Sequence, residues 1–203
     1  RSLCFRYQIE IMDQSFIIEQ PKQYQDLLEK SKEMGFTMPS DIYIGTLLKT
    51  LVASKPSGNF LELGTGIGLS LAWMVKGMDE DSSITSVDND SELIEVAQLF
   101  FEDEDRLELV CADGGEWLEE YKGDSFDLIF ADAWPGKYSH LDTALVLLKK
   151  GGYYVIDDMK KQPNWPEGHE EKANELVKTI EKRKDITITK MDWSTGLIVA
   201  VKK

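Results

Sequence analysis

Short apolar segments alternate with amphipathic segments along most of the chain. The apolar segments have the length of strands, and the segments between them repeat their apolar positions with helical spacing. Strands separated by helices are typical of units in which parallel strands are joined by crossover helices. The pattern therefore predicts a doubly wound α/β fold, with helices on both faces of a mostly parallel sheet.

The bounds of the elements follow from this alternation and from the turn residues between the segments. The predicted strands are 59–63, 83–87, 106–111, 126–131, 152–157, 186–191 and 195–203. The predicted helices are 24–34, 41–53, 69–76, 91–101, 115–121, 139–149 and 170–183, with Pro39 and Ser40 capping the second. Only Asp192–Ser194 separates the last two strands, so they are predicted to form an antiparallel hairpin at one edge of the sheet.

Length and charge limit the domain count and the partners. A chain of 203 residues with 42% hydrophobic residues can bury one sizeable core, so we expect a single domain, with residues 1–53 as a helical cap and 54–203 as the core. The formal net charge of −14 argues against nucleic acid or an anionic membrane, because both require clustered Lys and Arg. A small-molecule ligand fits better, and a homodimer is left open.

The cysteines and the apolar runs indicate the compartment. Cys4 and Cys111 are too few for a disulfide framework, and Cys111 is expected to be a small buried apolar residue in a reducing compartment. No apolar run reaches about 18 residues, and no charged-then-apolar leader opens the sequence. We therefore expect a cytoplasmic protein.

The segment "NFLELGTGIGLS", residues 59–70, carries three glycines directly behind a predicted strand. Their spacing is G-x-G-x-G, and Leu69 stands where a dinucleotide-binding turn would have its third glycine. The turn also lacks the Lys-Ser/Thr pair of a P-loop. It predicts a nucleotide ligand without a pyrophosphate; the alternative is a tight strand-to-helix turn with no ligand.

Acidic residues end the next two strands. Asp88 lies 24 residues after Gly64, where a carboxylate can accept both hydroxyls of a ribose. Capping of the following helix is left to Asp90 and Ser91. Asp113 ends the third strand and is predicted either to accept an adenine amino group or to cap the next helix.

The segments "FLELGTGIGLS", "SVDND", "CADGGEW" and "FDLIFADAWPGKY" resemble successive motifs of the class I S-adenosylmethionine-dependent methyltransferases, and more narrowly of the catechol O-methyltransferase-like group. The resemblance covers the chain from about Met38 onward. It implies a Rossmann-like sheet of seven strands that closes with an antiparallel hairpin. It also implies S-adenosylmethionine as cofactor and transfer of its methyl group to a hydroxyl of a small molecule.

The resemblance further implies which residues face the cofactor. Glu62 would lie beneath it, Ser70 would bind its methionine carboxylate, and Met38 would lie against it, although a methionine is more often part of a core. Trp134 would pack near cofactor and substrate, with ordinary core packing as the alternative. The full predicted set is Met38, Glu62, Gly64, Thr65, Gly66, Ser70, Asp88, Asn89, Ala112, Asp113, Gly114, Asp132 and Trp134.

Three carboxylates are expected at one corner of the sheet. Asp132 ends the fourth predicted strand, and Asp157 and Asp158 end the fifth. Close carboxylates repel one another, and a hard divalent cation, Mg²⁺ or Ca²⁺, would relieve this. The resembling family has its metal ligands at these positions, which predicts that a chelated cation activates the acceptor hydroxyl. The alternative is a solvated acidic rim.

The general base is less well defined. The family has a lysine three residues after its first metal-binding aspartate, where this chain has Pro135. Lys137 is predicted to take that role together with Asp132, because the turn at Pro135–Gly136 can reverse the chain. His140 is a second candidate. In the segment 159–172, Trp165 would either close over a flat substrate or anchor the loop.

Other functions stay open at this point. A metal-independent or nitrogen-directed methyltransferase shares most of these residues, and so does a binding protein that has lost catalysis. A nicotinamide-dependent dehydrogenase is the weakest alternative, because the third glycine of its fingerprint is missing.

Overall fold

The structure, a computed structural model, describes residues 13–203. These residues form seven strands: β1 (Asn59–Leu63), β2 (Ser83–Asp88), β3 (Leu107–Cys111), β4 (Phe126–Ala131), β5 (Leu148–Ile156), β6 (Ile186–Met191) and β7 (Leu197–Lys202). They also form seven helices: α1 (Tyr24–Glu33), α2 (Ile42–Ala53), α3 (Leu69–Gly77), α4 (Ser91–Phe100), α5 (Gly114–Glu120), α6 (Leu141–Leu147) and α7 (His169–Glu181). Cys4 and the rest of the first twelve residues lie outside the described part.

The strands form one sheet in the order β3-β2-β1-β4-β5-β7-β6. The first five strands pair in parallel, whereas β7 is antiparallel to both of its neighbours, β5 and β6. The link between β6 and β7 is too short for a crossover, which forces the hairpin. The predicted fold class, including the closing hairpin, is confirmed.

The core lies on both faces of the central strands. Successive side chains of a strand point to opposite faces, so Phe60 packs with Trp73 of α3 on one side while Leu61 packs with Leu145 of α6 on the other. Parallel strands covered by helices on both faces are apolar on both faces. Glu62, fully buried in β1, is a charged exception among the described strand residues, and it marks the site.

Two predicted helix boundaries are wrong. The cap of α2 is Asp41, whose carboxylate accepts a hydrogen bond of 2.7 Å from the backbone N–H of Tyr43, and not the Pro39–Ser40 pair. Helix α6 ends at Leu147 rather than at Lys149, because Leu148 already pairs with Phe126 of β4. Strand pairing overrides the helical pattern there.

The expected burial of Cys111 is also wrong. Cys111 is exposed, because it ends β3, which is an edge strand with β2 as its only neighbour in the sheet. Among residues 13–203, no helix combines the length and the apolar character that crossing a bilayer requires.

Candidate active site

A cavity of about 360 Å³ opens at the carboxyl ends of β1, β2 and β4 and beside Asp158, which follows β5. This is the edge at which open α/β sheets bind their ligands. A smaller cavity of about 280 Å³ extends it toward α5. The two cavities share the lining residues Gly64, Asp88, Asn89, Ala133 and Trp134. Together they form one groove large enough for a nucleoside with an extended substituent.

The glycine turn forms the floor of this groove. Gly64 and Gly68 have φ angles of 103° and 95°, which side chains rarely adopt. A Cβ atom on Gly64 would lie 3.0 Å from the carbonyl oxygen of Asp132, and one on Gly68 would lie 2.8 Å from the ring of Phe101. Glycine is therefore required at both positions by the fold itself, while Gly64 and Gly66 also expose their backbone to the cavity.

Beneath the turn, Glu62 is held by two serine hydroxyls. Ser70 Oγ donates to Glu62 Oε1 at 2.6 Å, and Ser86 Oγ donates to Oε2 at 2.5 Å. Thr65 Oγ1 lies 2.7 Å from Ser86 Oγ; because the proton of Ser86 is used by Glu62, Thr65 is the donor. Burial raises the pKa of Glu62 to about 7, although both serine hydrogen bonds oppose the rise. The hydroxyl of Ser70 is thus engaged with Glu62 and is not part of the cavity lining.

Asp88 joins the turn to the groove. Its Oδ2 accepts from the backbone N–H of Gly66 at 2.9 Å, and its Oδ1 accepts from that of Asp90 at 3.0 Å. Each oxygen has a second lone pair, and Asp88 lines both cavities. Asp90 caps α4 by accepting from Glu92 and Leu93, as the sequence predicts. We call Glu62, Thr65, Ser70, Ser86 and Asp88 the glycine-turn side of the site.

The smaller cavity is bounded by the start of α5. The Asp113 carboxylate accepts from the backbone N–H groups of Gly115 and Glu116 and therefore caps α5, which is the alternative role predicted for it. Asp113 and Gly114 still line the cavity, whereas Ala112 does not. His140 lines it too, and its buried Nδ1 has no hydrogen-bond partner among the described residues.

Met38 and Trp134 lie at the mouth of the larger cavity. They are 67% and 46% exposed, which excludes core packing for both. Asn89 is also part of the lining. These side chains are free to contact a ligand from the solvent side of the groove.

Opposite the turn, a buried lysine lies among three carboxylates. The turn at Pro135–Gly136, in which Gly136 has a φ angle of 81°, brings Lys137 into the same cavity as Asp132 and Asp158. Lys137 is only 5% exposed. Burial raises the pKa of each carboxyl group, and the charge of Lys137 opposes that rise in all three: Asp132, Asp157 and Asp158. The acidic corner thus already holds one positive charge.

The three aspartates do not form the predicted metal site as they are placed. Three carboxylates have the right chemistry for a hard cation. However, Asp157 is 2% exposed, and its Oδ1 already accepts from the Thr195 hydroxyl and, at 2.6 Å, from the Asp158 backbone N–H. Within residues 13–203, no group of three His, Cys, Asp or Glu side chains is arranged to hold a metal ion. Burial, the first cause, raises the pKa of Asp157 to about 6.

Aromatic side chains close the corner on its outer side. The Tyr138 hydroxyl lies 3.0 Å from Nε2 of His169, the first residue of α7. Trp165 stacks on the His169 ring with centroids 4.3 Å apart, and Trp134 meets the Tyr138 ring edge-on at 4.9 Å. Sequence reasoning missed Tyr138 and His169 as site residues; their only signal is that Tyr138 directly follows Lys137. We call Asp132, Lys137, Tyr138, Asp157, Asp158 and His169 the acidic-aromatic side of the site.

This fold, with a groove between a glycine turn and a lysine–carboxylate corner, has the architecture of a Rossmann-like methyltransferase. The family model described as O-methyltransferase matches residues 14–203, so the chain belongs to the O-methyltransferase family.

Similar proteins agree with this assignment. A predicted O-methyltransferase of Mycobacterium ulcerans is 27% identical over 169 residues, which cover 78% of this chain and 75% of that protein. One of Mycolicibacterium vanbaalenii is 33% identical, but over 56% of this chain and only about half, 52%, of its own length.

Solved structures share the fold. An O-methyltransferase of Bacillus cereus in complex with SAH superposes with a TM-score of 0.80 at 20% identity, covering 93% of this chain and 94% of that one. The O-methyltransferase TomG of Streptomyces achromogenes in complex with SAM gives 0.81 at 19% identity, covering 93% of both chains. At this level of identity the likeness concerns the fold.

Proposed function

We propose that the protein transfers the methyl group of S-adenosylmethionine to a hydroxyl group of a small molecule. The observation that carries this proposal is the position of Lys137, which is buried near three carboxylates and lines the same cavity as the glycine turn. A nucleotide site and a charged reaction corner face each other across one groove. This is the arrangement that a group transfer between two bound molecules requires.

The groove fits the cofactor. The open backbone of Gly64 and Gly66 and the carboxylate of Asp88 suit the methionine and ribose parts. The ring of His140 lines the smaller cavity and suits packing against a purine. When bound, S-adenosylmethionine supplies an electrophilic methyl group on a positively charged sulfur. Asp113, Gly114, Asn89, Met38 and Trp134 complete the set that we propose for it, with Glu62 and Ser70 supporting the turn from below.

Lys137 is proposed to act on the acceptor oxygen. Its ammonium group can stabilise the negative charge that develops on that oxygen as its proton leaves. Asp132 lies on the same cavity wall and would hold the ammonium in position by charge attraction. Electrostatic interactions are stronger in a corner that excludes water than at the surface. Removing the charge of Lys137 should therefore cost more free energy than removing the charge of a surface lysine.

A divalent cation at Asp132, Asp157 and Asp158 stays a prediction from the sequence. Asp157 Oδ1 is already used by the Thr195 hydroxyl and the Asp158 backbone N–H, and an ion would compete with the charge of Lys137. We therefore expect methylation in excess EDTA to stay within about threefold of that in Mg²⁺. A loss of activity in EDTA that Mg²⁺ restores would reinstate the metal site.

The direct test of the proposed function combines binding with turnover. Isothermal calorimetry should detect S-adenosylhomocysteine binding and no binding of NAD. Mass spectrometry on a panel of phenols, catechols and aliphatic alcohols should then detect methyl ethers. Binding without transfer to any oxygen would favour a nitrogen-directed enzyme or a catalytically silent binding protein, and an amine panel separates these two.

A cytoplasmic location, a homodimer, and the division into a cap of residues 1–53 and a core of 54–203 stay predictions.

A further inference from the structure

We propose that Tyr138 and His169 form a proton relay, in which Tyr138 receives the proton of the acceptor hydroxyl while it passes its own proton to His169. The proposal rests on the proposed function and adds to it the path by which the proton leaves. It gives a role to Tyr138, which ends the motif "FDLIFADAWPGKY" without a role assigned there, and to His169, which lies outside the quoted motifs.

The geometry of the pair carries the inference. Tyr138 Oη and His169 Nε2 are 3.0 Å apart, which is hydrogen-bonding distance, although the residues lie 31 positions apart in the sequence. Tyr138 belongs to the loop after β4, and His169 opens α7. Both side chains line the 360 Å³ cavity together with Lys137 and Asp158. An acceptor bound in this cavity can therefore reach the tyrosine oxygen, and the histidine is half-buried behind it.

Burial and nearby charges determine which of the two side chains carries the proton. Burial, followed by the charges of Asp158 and Asp132, raises the pKa of Tyr138 to about 12, so the phenol keeps its proton at neutral pH. In the relay, this phenol is the donor of the hydrogen bond to His169. The imidazole must then carry its own proton on Nδ1 and present Nε2 as an acceptor.

The charge state of His169 agrees with this direction. Burial and the charge of Lys137 lower the pKa of His169 below its ordinary value, so its ring is neutral at neutral pH. The charged groups that act on the ring come from three parts of the chain. Lys137 and Lys172 disfavour the imidazolium form, whereas Asp158 favours it. A neutral imidazole with one lone pair directed at a protonated phenol is ready to take up a proton.

The aromatic contacts hold the pair in place. Trp165 stacks on the His169 ring at an interplanar angle of 29°, and Trp134 packs edge-on against Tyr138. The same contacts would also suit a purely structural role, in which the pair fastens the loop after β4 to α7. We call this role a latch. A relay differs from a latch because it needs the hydroxyl and Nε2 as a unit, and because it depends on the protonation state of His169.

The acceptor oxygen forms its bond to the methyl carbon while its proton moves to Tyr138 Oη and the proton of Tyr138 moves to His169 Nε2. The bond between the methyl carbon and sulfur breaks, and its electron pair stays on sulfur as a neutral thioether. The products are the methyl ether, the thioether and a His169 imidazolium, which returns its proton to solvent. In this scheme Lys137 remains an ammonium that stabilises the oxygen and is not itself the base.

A double-mutant cycle tests the relay. Tyr138→Phe keeps the ring and its packing, and His169→Gln removes the base. We expect each to lower kcat by about 50-fold or more, with the affinity for S-adenosylhomocysteine changed less than about threefold. The double variant should be no more than about threefold worse than the poorer single variant, because the two residues act as a unit. Tyr121→Phe is the control: it removes a tyrosine hydroxyl that bonds to Asp124 far from the groove, and should retain kcat within about twofold.

The pH profile separates the relay from a latch. In the unmodified enzyme kcat/KM should fall on the acid side as His169 becomes protonated, and this limb should be absent in His169→Gln. Changes in kcat below about threefold, effects that multiply in the double variant, or an acid limb that persists without His169 would each overturn the relay.

A second measurement does not depend on turnover. The sequence contains two histidines, so His169→Gln assigns the ring ¹⁵N signals of His169 in NMR spectra. We expect the Nδ1–H tautomer with Nε2 as acceptor, and a change of the Nε2 signal in Tyr138→Phe. A proton on Nε2 would overturn the relay while leaving the proposed function intact. An enzyme that binds the cofactor product but methylates no hydroxyl would overturn the proposed function and the relay together.

Discussion

The two sides of the groove use buried polar groups in opposite ways. On the glycine-turn side, the carboxylate of Glu62 and three hydroxyls satisfy one another, and nothing in that network is left over for chemistry. On the acidic-aromatic side, charges of both signs are buried together around an open cavity, and several have no direct partner within hydrogen-bonding distance among the described residues. The glycine-turn side supports a ligand, and the acidic-aromatic side is where a proton can be transferred.

The two sides differ because a satisfied hydrogen-bond network and a cluster of buried charges have different effects on rigidity and stability. A fully satisfied network in a low-dielectric interior is rigid, because moving any member leaves an unpaired polar group. A cluster of partly compensated charges is costly for stability but holds groups whose protonation can change near neutral pH. Loss of a residue from the glycine-turn side should therefore appear in binding or stability, and loss of one from the acidic-aromatic side should appear in turnover.

The largest effect should come from Lys137 on the acidic-aromatic side. Lys137→Met removes the charge but keeps an apolar stem, and should lower kcat by about 10²–10³-fold while cofactor affinity changes little. Steady-state kinetics and calorimetry measure the two effects. Lys161→Met, which removes an exposed lysine paired with Glu170, is the control and should stay within about twofold. A Lys137 variant that turns over within about threefold of the unmodified enzyme would exclude any role at the acceptor oxygen.

A stability effect of about 3 kcal/mol is expected for Glu62 on the glycine-turn side. Its pKa is about 7 when folded against an ordinary value of 4.5, so the folded protein binds a proton that the unfolded chain has lost. The contribution of Glu62 therefore lowers the free energy of unfolding as the pH rises from about 4.5 to about 7, by about 3 kcal/mol in total.

Glu62→Gln cannot ionise and should flatten this dependence, as measured by urea unfolding at pH 5 and pH 8. The other buried carboxyls contribute equally to both proteins and cancel in the comparison. Glu92→Gln, at an exposed site on α4, should leave the pH dependence as it is. If Glu62→Gln and the unmodified protein lose the same stability between these pH values, Glu62 is ionised throughout.

Asp88 should affect binding rather than turnover. Asp88→Ala removes a carboxylate that faces the groove and leaves the backbone N–H of Gly66 without its acceptor. We expect binding of S-adenosylhomocysteine to weaken by about 2 kcal/mol, or about thirtyfold, while kcat at saturation changes less than about threefold. Calorimetry decides, and an unchanged dissociation constant would remove Asp88 from the cofactor site.

The smallest effect, about 1 kcal/mol or about fivefold in affinity, is expected for His140. His140→Ala removes the ring that lines the smaller cavity. Glu119→Ala is the matched control, since it removes only the neighbour of Nε2, 3.2 Å away, and leaves the ring in place. Equal losses in the two variants would mean that His140 supports the cavity wall and does not bind the ligand.

Parts of the site could be predicted because they depend on neighbours in the sequence. The glycine turn follows its strand directly, Asp90 caps the helix that it precedes, and Asp88 and Asp132 fall at strand ends that the alternation of elements locates. Apolar periodicity also sufficed for the parallel sheet and the closing hairpin. These features are set by local backbone preferences and by the need to bury apolar faces. Both leave a pattern in the order of residues along the chain.

Other parts were decided only in three dimensions. Helix α6 ends early because Leu148 pairs with a distant strand, and Cys111 is exposed because its strand lies at an edge. Asp157 Oδ1 accepts from Thr195, 38 residues away, and His169 meets Tyr138 across 31 residues. Such contacts depend on which elements the fold brings together and on which donors compete for each buried oxygen. No pattern of neighbouring residues encodes that competition. The sequence by itself therefore determines the scaffold and its cofactor-facing turn. Tertiary packing determines which polar groups are left without a partner and can take part in a reaction.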